Sequence, residues 1–172
     1  MDTFVEQIVA KKKSGKEIAA IVLVAVGLVL IVGLTLLFFP FVGMFAPILL
    51  FGAGYGAWWL ITAQNIEFEY CVTNGDIDID QIIARRKRKR IVSVSSKKIE
   101  AAGRYSPALF AGRQVDRLVM AATSPDAENL YYFTYHSKKR GHTVVVFEPS
   151  ERVKAAFREG LPRLIQMDWD KA

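Results

Sequence analysis

The feature that most constrains this chain is a stretch of 49 residues, from Ile18 to Ile66, that contains no Asp, Glu, Lys or Arg. One helix of that length would run about 74 Å, whereas about 20 helical residues cross the ~30 Å hydrocarbon core of a bilayer. Pro40 and Pro47 supply a break, because proline lacks the amide donor and its ring clashes with the preceding turn. The sequence therefore predicts a transmembrane helical hairpin with spans at 18–39 and 44–63.

Basic residues flank this hairpin on both sides, and its connecting loop carries no charge. Lys11, Lys12, Lys13 and Lys16 precede it, and the run Arg85 to Arg90 follows it. Because cytoplasmic loops carry the excess of Lys and Arg, we expect a multi-pass protein of the cell membrane with both termini cytoplasmic. A hairpin that dips into the bilayer without crossing gives the same placement of the termini. A cleaved signal peptide is disfavoured, since its apolar region has only about 7–15 residues.

Two pairs of residues in the second span have predicted roles in the membrane. Trp58 and Trp59 lie one turn before its end, where aromatic rings favour the membrane–water interface, and they are expected to act as interface anchors. Gly52 and Gly56 form a G-x-x-x-G pair, which lets a second helix approach closely. Its partner is either the first span or another copy of the chain, and the tethered first span is the favoured choice.

The segment before the hairpin, residues 1–17, is predicted to be a cytoplasmic amphipathic segment. Phe4, Val5, Ile8 and Val9 recur at helical spacing, and three lysines follow them. This pattern fits a short helix lying in the membrane interface. The alternative is a frayed tail, because so short a helix is marginal by itself.

Residues 67–172 change to short alternating segments and are predicted to form a cytoplasmic domain with one core. Phe68, Tyr70 and Val72 alternate with polar residues, as in a half-buried strand. Asn74-Gly75 predicts a two-residue hairpin turn of type I′, which needs positive φ at both central residues. The following sequence predicts further strands, which begin with Ile77 and Ile79, then Ile91 to Val94, Leu118 to Ala122, Asn129 to His136 and Thr143 to Phe147.

After Pro149 the apolar period becomes helical. Val153, Phe157, Leu161 and Leu164 form a stripe behind a Ser150 N-cap, and Gly160 with Pro162 predicts a helix end or kink. Two spans, then many strands, then one helix indicate an α+β membrane protein. Its soluble part is expected to be an antiparallel β-barrel or sandwich closed by the C-terminal helix.

The two predicted spans are preceded by MDTFVEQIV and three lysines, and they are followed by FEYCVTNGDIDIDQIIARRKRKRIVSVSSKKIEAAGRY, from Phe68 to Tyr105. This combination resembles an uncharacterised family of small bacterial membrane proteins, typical of clostridia and known only as a domain of unknown function. The resemblance covers most of the chain. More loosely, the strand order and closing helix are similar to bacterial pleckstrin-homology-like (PH-like) domains that follow transmembrane hairpins. Neither resemblance implies catalytic residues.

The sharpest local feature of the domain is its basic run of Arg85, Arg86, Lys87, Arg88, Lys89 and Arg90. At about 3.3 Å per strand residue, the Asn74-Gly75 hairpin returns Arg85 to the level of Glu67, beside the headgroups. One interpretation is docking on anionic lipid, to which each basic residue contributes about 1 kcal/mol. The other is a solvated loop balanced by nearby acids, namely Glu67, Glu69, Asp76, Asp78 and Asp80. Binding to nucleic acid is a weaker alternative.

Signatures of catalysis and of metal binding are missing from the sequence. Asp76, Asp78 and Asp80 imitate a calcium loop, but Gln81 and Lys87 occupy the positions that need glycine and glutamate. Cys71, His136 and His142 have no spacing that brings a thiol and an imidazole together. We therefore expect no enzyme, no cofactor and no metal site.

The sequence as a whole favours a membrane-anchored, non-enzymatic module that presents a PH-like domain at the cytoplasmic face. Its expected partners are the lipid bilayer, through anionic headgroups, or a protein. The alternative is an accessory subunit of a larger membrane complex, in which Gly52 and Gly56 make the helix contact. The sequence leaves the oligomeric state open.

Overall fold

The structure is a computed structural model that describes residues 3–110, 112 and 115–171. The chain forms two compact units. One comprises the chain up to Lys11 together with the chain from Glu67 onward, and the other comprises Lys12–Ile66. We refer to them as the β unit and the apolar unit.

The apolar unit consists of helices α1 (Gly15–Leu37), α2 (Phe39–Val42) and α3 (Ala46–Ala63). Ser14 and Glu17 form a capping box, which begins α1 three residues earlier than predicted. Pro40 and Pro47 are the second residues of α2 and α3, in the first turn, where their missing N–H groups cost little. Both α1 and α3 are long and apolar enough to cross a membrane by length and composition.

The β unit contains two four-stranded sheets and two helices. Sheet A has the order β1-β2-β3-β4, and sheet B has the order β5-β7-β8-β6, in which β6 runs parallel to β8. The strands are β1 (Phe4–Ala10), β2 (Ile66–Thr73), β3 (Asp76–Ile83), β4 (Lys87–Val94), β5 (Ile99–Arg104), β6 (Arg117–Ala121), β7 (Tyr131–Ser137) and β8 (Gly141–Phe147). The helices are α4 (Glu151–Gly160) and α5 (Arg163–Trp169). This is the expected α+β architecture, although no strand pairing closes the sheets into a barrel among the described residues.

The amphipathic helix predicted near the N-terminus is wrong, because Phe4–Ala10 is strand β1. It pairs antiparallel with β2, from Phe4↔Thr73 to Ala10↔Glu67. Val5, Gln7 and Val9 point inward while their neighbours are exposed, so the true period is two. The same residues also satisfy a helical spacing, and pairing with a strand more than 50 residues away decides between the two.

The hairpin predicted at Asn74-Gly75 is confirmed. Their φ angles are 51° and 85°, as a type I′ turn requires. A Cβ atom added at Gly75 would overlap the backbone of Gly160, so this turn packs directly on the end of α4. The predicted end of the helix at Gly160 is also confirmed, and α5 follows as a second helix that the sequence pattern did not reveal.

The core lies between the sheets and is closed by α4. Val153, Ala156 and Phe157 of α4 are buried, and Phe157 contacts the rings of Phe133 and Phe147 at centroid distances of 5.5 and 5.8 Å. Leu164, predicted to continue the apolar stripe, is exposed because the chain kinks before it.

Tyr70 ties the two sheets together from β2. Its buried hydroxyl donates a hydrogen bond to the carbonyl of Ala121 and accepts one from the N–H of Glu148 at 3.2 Å. Burial raises the pKa of this phenol far above its ordinary value. The hydroxyl therefore stays protonated and serves as a structural donor.

Candidate functional site: a basic groove

The turn between β3 and β4 carries the first half of the basic run. Ala84 and Arg85, its central residues, have φ angles of 54° and 56°. The N–H of Arg86 closes the turn on the carbonyl of Ile83 at 3.0 Å. Left-handed backbone at a residue other than glycine costs about 1–3 kcal/mol and is found most often at functional sites. Ala84 and Arg85 therefore form a strained turn at a position where an Asn-Gly pair would form an unstrained one.

The end of sheet A that bears this turn is also the end at which the chain leaves for the apolar unit. Arg85 Nε donates to Glu67 Oε1 at 3.2 Å, and Glu67 pairs with Ala10 at the end of β1. The prediction that the hairpin returns Arg85 to the level of Glu67 is therefore confirmed. Its distance from a bilayer stays a prediction.

An open groove of about 570 Å³ lies at this end of the sheet, and we call it the basic groove. Its lining combines four basic side chains with one acid and three apolar residues. These are Ile8, Ala10, Glu67, Ile82, Arg85, Arg86, Lys87 and Arg88. A lining that combines basic and apolar side chains suits a ligand that has an anionic head and an apolar body.

Part of the basic run is neutralised by carboxylates on the neighbouring strands. Arg88 Nη2 lies 2.8 Å from Glu69 Oε1, and Arg90 lies 3.1 Å from Asp78 and 2.9 Å from Asp80. The predicted balance by nearby acids is thus found for Arg85, Arg88 and Arg90. The predicted loop is wrong, because residues 87–90 belong to β4.

One acid and two lysines of the predicted set do not take part in these ion pairs. Asp76 turns away from the arginines and accepts hydrogen bonds from Ser95 and Ser96 at 2.9–3.2 Å. Lys87 and Lys89 alternate with the paired arginines along β4 and are exposed, with no carboxylate partner in the described part of the chain. Their charges face solvent at the same end of the sheet.

Glu69 is the acid whose environment is most unusual. Burial raises the pKa of its carboxyl group, and a hydrogen bond and charge from Glu6 raise it further, while the guanidinium of Arg88 lowers it. The sequence did not reveal this cluster, because Glu6 lies on the unrecognised strand β1. Ile8 and Ala10, which line the groove, were missed for the same reason.

The glycine pair of α3 does not pack against α1. A Cβ atom added at Gly52 or at Gly56 would meet no atom within 4 Å among the described residues. The prediction that this glycine pair contacts the first span is therefore wrong. Contact with another chain stays a prediction.

Trp58 and Trp59 lie near the end of α3, and their rings are about half exposed. Tyr55 adds a third ring, 5.7 Å from that of Trp58. A short aromatic cluster at the end of an apolar helix is typical of a membrane interface. The anchor role stays a prediction.

The residues considered for catalysis lie apart. Cys71 is on β2 of sheet A, whereas His136 and His142 face each other across β7 and β8 of sheet B. No group of three His, Cys, Asp or Glu side chains able to hold a metal ion occurs in the described ranges. The basic groove is therefore taken as the candidate site.

Comparison with known proteins bears on the whole chain. No curated protein and no solved structure matches it. Residues 1–167 match the family described as Bacterial PH-like domain (DUF6106), which includes β1, the apolar helices and both sheets. The expected resemblance to an uncharacterised family with a PH-like domain is confirmed. The chain therefore belongs to this bacterial PH-like family, whose function is unknown.

Proposed function

We propose that this protein is a membrane-anchored, non-enzymatic module of the bacterial cell membrane that binds anionic phospholipid headgroups at the cytoplasmic face. The two apolar helices supply a multi-pass anchor, and the basic groove supplies the headgroup site. The observation that carries this proposal is the position of the groove, at the end of sheet A where the chain continues into the helices.

The anchor is supported by the length and the surface of the helices. At 23 and 18 residues, α1 and α3 are about 35 and 27 Å long, close to the ~30 Å of a hydrocarbon core. Large apolar side chains point outward on both, such as Leu23 at 73% and Phe51 at 79% exposure. A helix that is apolar all round must be covered, and a bilayer covers it.

The covalent chain keeps the groove near any bilayer that holds these helices. Only residues 11–14 connect β1 to α1, and residues 64–65 connect α3 to β2. An extended residue spans at most about 3.6 Å, so the first connection reaches less than about 20 Å. That is within about two Debye lengths of the surface, where anionic lipid attracts basic side chains.

Several basic side chains of the groove are expected to contribute to the free energy of lipid binding. Each basic residue near an anionic leaflet contributes about 1 kcal/mol, and Arg85 and Arg88 contribute less because Glu67 and Glu69 already neutralise them. Lys87, exposed at the rim of the groove, contributes its full charge. The expected total is about 2–4 kcal/mol.

The test uses the full chain in nonionic detergent micelles, titrated calorimetrically with short-chain phosphatidylglycerol and, separately, with phosphatidylcholine. We expect saturable binding of phosphatidylglycerol alone. The double variant Arg86→Ala/Lys87→Ala should weaken it about tenfold or more, given about 1 kcal/mol for each charge.

The matched control removes the same charge elsewhere in the domain. Lys138 and Lys139 lie in the exposed β7–β8 hairpin loop, so the variant Lys138→Ala/Lys139→Ala should bind phosphatidylglycerol as the wild type does. Equal binding of the two lipids, or equal losses in the two variants, would overturn the proposed headgroup site.

A second candidate function is an accessory subunit of a larger membrane complex. It is favoured by the open surface around Gly52 and Gly56, where a neighbouring helix could approach α3 closely. A partner that co-purifies in mild detergent with the wild type and is lost with Gly52→Leu/Gly56→Leu would support it. A monodisperse monomer without other chains would speak against it.

A further inference from the structure

Arg88 lies in the basic groove while it is already engaged by a buried acid. Its Nη2 donates to Glu69 Oε1 at 2.8 Å, and Glu69 is only 5% exposed. An anion that accepts the hydrogen bonds of Arg88 in place of Glu69 would leave the Glu69 carboxylate buried without its cation. A buried and unpaired carboxylate is costly, and such a group takes up a proton instead.

The surroundings of Glu69 already favour that proton. Glu6 on β1 is a diagonal neighbour of Glu69, because Glu6 pairs with Cys71 and Ile8 pairs with Glu69. A second carboxyl group at this position raises the pKa of Glu69 beyond the effect of burial, since like charges disfavour the ionised form. Asp80 on β3 adds a second negative charge, although Arg90 on β4 pairs with Asp80 at 2.9 Å. Arg88 on β4 is the cation that lowers the pKa of Glu69. On its own strand the nearest titratable groups of the same face are Glu67 and Cys71.

The neighbouring ion pair of the groove lacks these features. Glu67, the partner of Arg85, keeps 19% of its side chain exposed, against 6% for Glu69. Water can therefore solvate the Glu67 carboxylate when its arginine leaves. Of the two groove arginines that pair with these carboxylates, Arg88 is the one tied to a carboxyl group that must change its protonation state.

We propose that binding of an anion in the basic groove is coupled to the uptake of one proton by the Glu6–Glu69 carboxyl pair. The anion accepts hydrogen bonds from Arg88, Glu69 loses its cation, and a proton from solvent neutralises it. The affinity of the groove for anions therefore rises as the pH falls. The identity of the anion as a lipid headgroup rests on the proposed function, whereas the coupling applies to any phosphate or sulfate group that reaches Arg88.

The direction of this pH dependence follows from the linkage between proton binding and anion binding. Burial and Glu6 raise the pKa of Glu69 in the free protein, and removal of Arg88 raises it further. Between these two pKa values the bound state holds one more proton than the free state. In that interval the dissociation constant falls by up to about tenfold for each unit by which the pH falls.

The experiment is calorimetric titration of the full chain in nonionic micelles from about pH 4.5, near the ordinary pKa of a glutamate, up to about pH 8. The probes are short-chain phosphatidylglycerol and sulfate, whose charges stay constant across this range. Buffers of different ionisation enthalpy report the proton directly. We expect tighter binding at the acidic end and an uptake approaching one proton for each anion bound.

Variants test whether Glu69 is the group that takes up the proton when an anion binds. Glu69→Gln should bind the probes more tightly at about pH 8 and should lose both the pH dependence and the proton uptake. Glu67→Gln, the matched control in the same groove, should keep both. His136→Gln/His142→Gln, which changes two imidazoles of sheet B outside the groove, should also keep both.

Glu6→Gln provides a second variant that leaves Glu69 in place. Its amide donates a hydrogen bond to the Glu69 carboxylate, which lowers the pKa of Glu69 and moves the pH dependence towards acid. Because Glu6 is exposed on β1, this variant is expected to fold.

The outcomes separate the coupling from the proposed function. Coupled binding of sulfate without binding of phosphatidylglycerol would keep the coupling and overturn the lipid site. Binding that is independent of pH in the wild type, or a pH dependence that survives in Glu69→Gln, would overturn the coupling alone. Failure of both probes to bind at every pH would overturn both.

Discussion

Replacing residues 12–65 by an Asn-Gly turn should yield a soluble, folded β unit. Ala10 pairs with Glu67, so Lys11 comes to lie opposite Ile66, and two residues of type I′ geometry complete the hairpin. The same turn already joins β2 to β3 at Asn74-Gly75. We expect this excised protein to be monomeric and to unfold in one cooperative transition.

The informative perturbation is to remove β1 as well, leaving a chain that begins at Ile66. This deletes both side-chain hydrogen bonds of Gln7, which donates to the Glu148 carbonyl at 3.0 Å and accepts from the Ser150 N–H at 2.7 Å. Each contributes about 0.5–1.5 kcal/mol, and burial of Val9 contributes about 1.5–3 kcal/mol. The expected loss is about 3–5 kcal/mol, a large part of the 5–15 kcal/mol that usually stabilises a domain.

Urea denaturation followed by tryptophan fluorescence measures this loss. Trp169 becomes the single tryptophan after excision, and it is buried with its ring 5.4 Å from that of Phe157. Gln7→Ala within the complete β unit is the graded control and should lose about 1–3 kcal/mol. Equal denaturation midpoints with and without β1 would refute the assignment of this strand to the domain.

Three further predictions concern the same β unit. Tyr70→Phe should lower the free energy of unfolding by about 2–4 kcal/mol in urea denaturation, since it leaves the Ala121 carbonyl and the Glu148 N–H buried without a partner. Gly75→Ala should cost about 2 kcal/mol or more in the same assay, because the turn needs positive φ and the new Cβ atom overlaps Gly160. Although burial raises the pKa of Asp76, hydrogen bonds from backbone and side-chain groups lower it below its ordinary value, so its stabilisation is lost as the pH falls below about 4. Asp76→Asn should therefore lose less stability than the wild type on acidification below about pH 4, as followed by Trp169 fluorescence, and equal losses would contradict this reasoning.

Local rules of the backbone made several elements predictable. The uncharged stretch from Ile18 to Ile66 predicts paired helices because backbone polar groups in an apolar medium must be satisfied within the segment. Asn74-Gly75 predicts its turn because few residues adopt positive φ. Pro162 predicts the end of α4, because the residue before a proline, here Leu161, favours extended backbone. Each of these signals depends on residues within one turn or one span of each other.

Strand β1 is an element that local sequence patterns did not predict. Residues 4–9 satisfy both a helical and an alternating pattern, so periodicity alone does not decide between them. Pairing with β2 and the bonds of Gln7 to residues 148 and 150 favour the strand. The β2 partners lie 57 or more residues away along the chain, and the partners of Gln7 lie 141 and 143 residues away.

Some features of the basic groove follow from the sequence, and others depend on the tertiary structure. The run of six basic residues and its return towards Glu67 follow from the sequence, because strand rise and turn type set the length of a hairpin. Which arginines are neutralised depends on the order of the strands in sheet A, which brings Glu69 beside Arg88 and Glu6 beside Glu69. Charges on different strands interact only after the chain has folded, so the composition of the site lies in the sequence, whereas its protonation chemistry is decided by the tertiary structure.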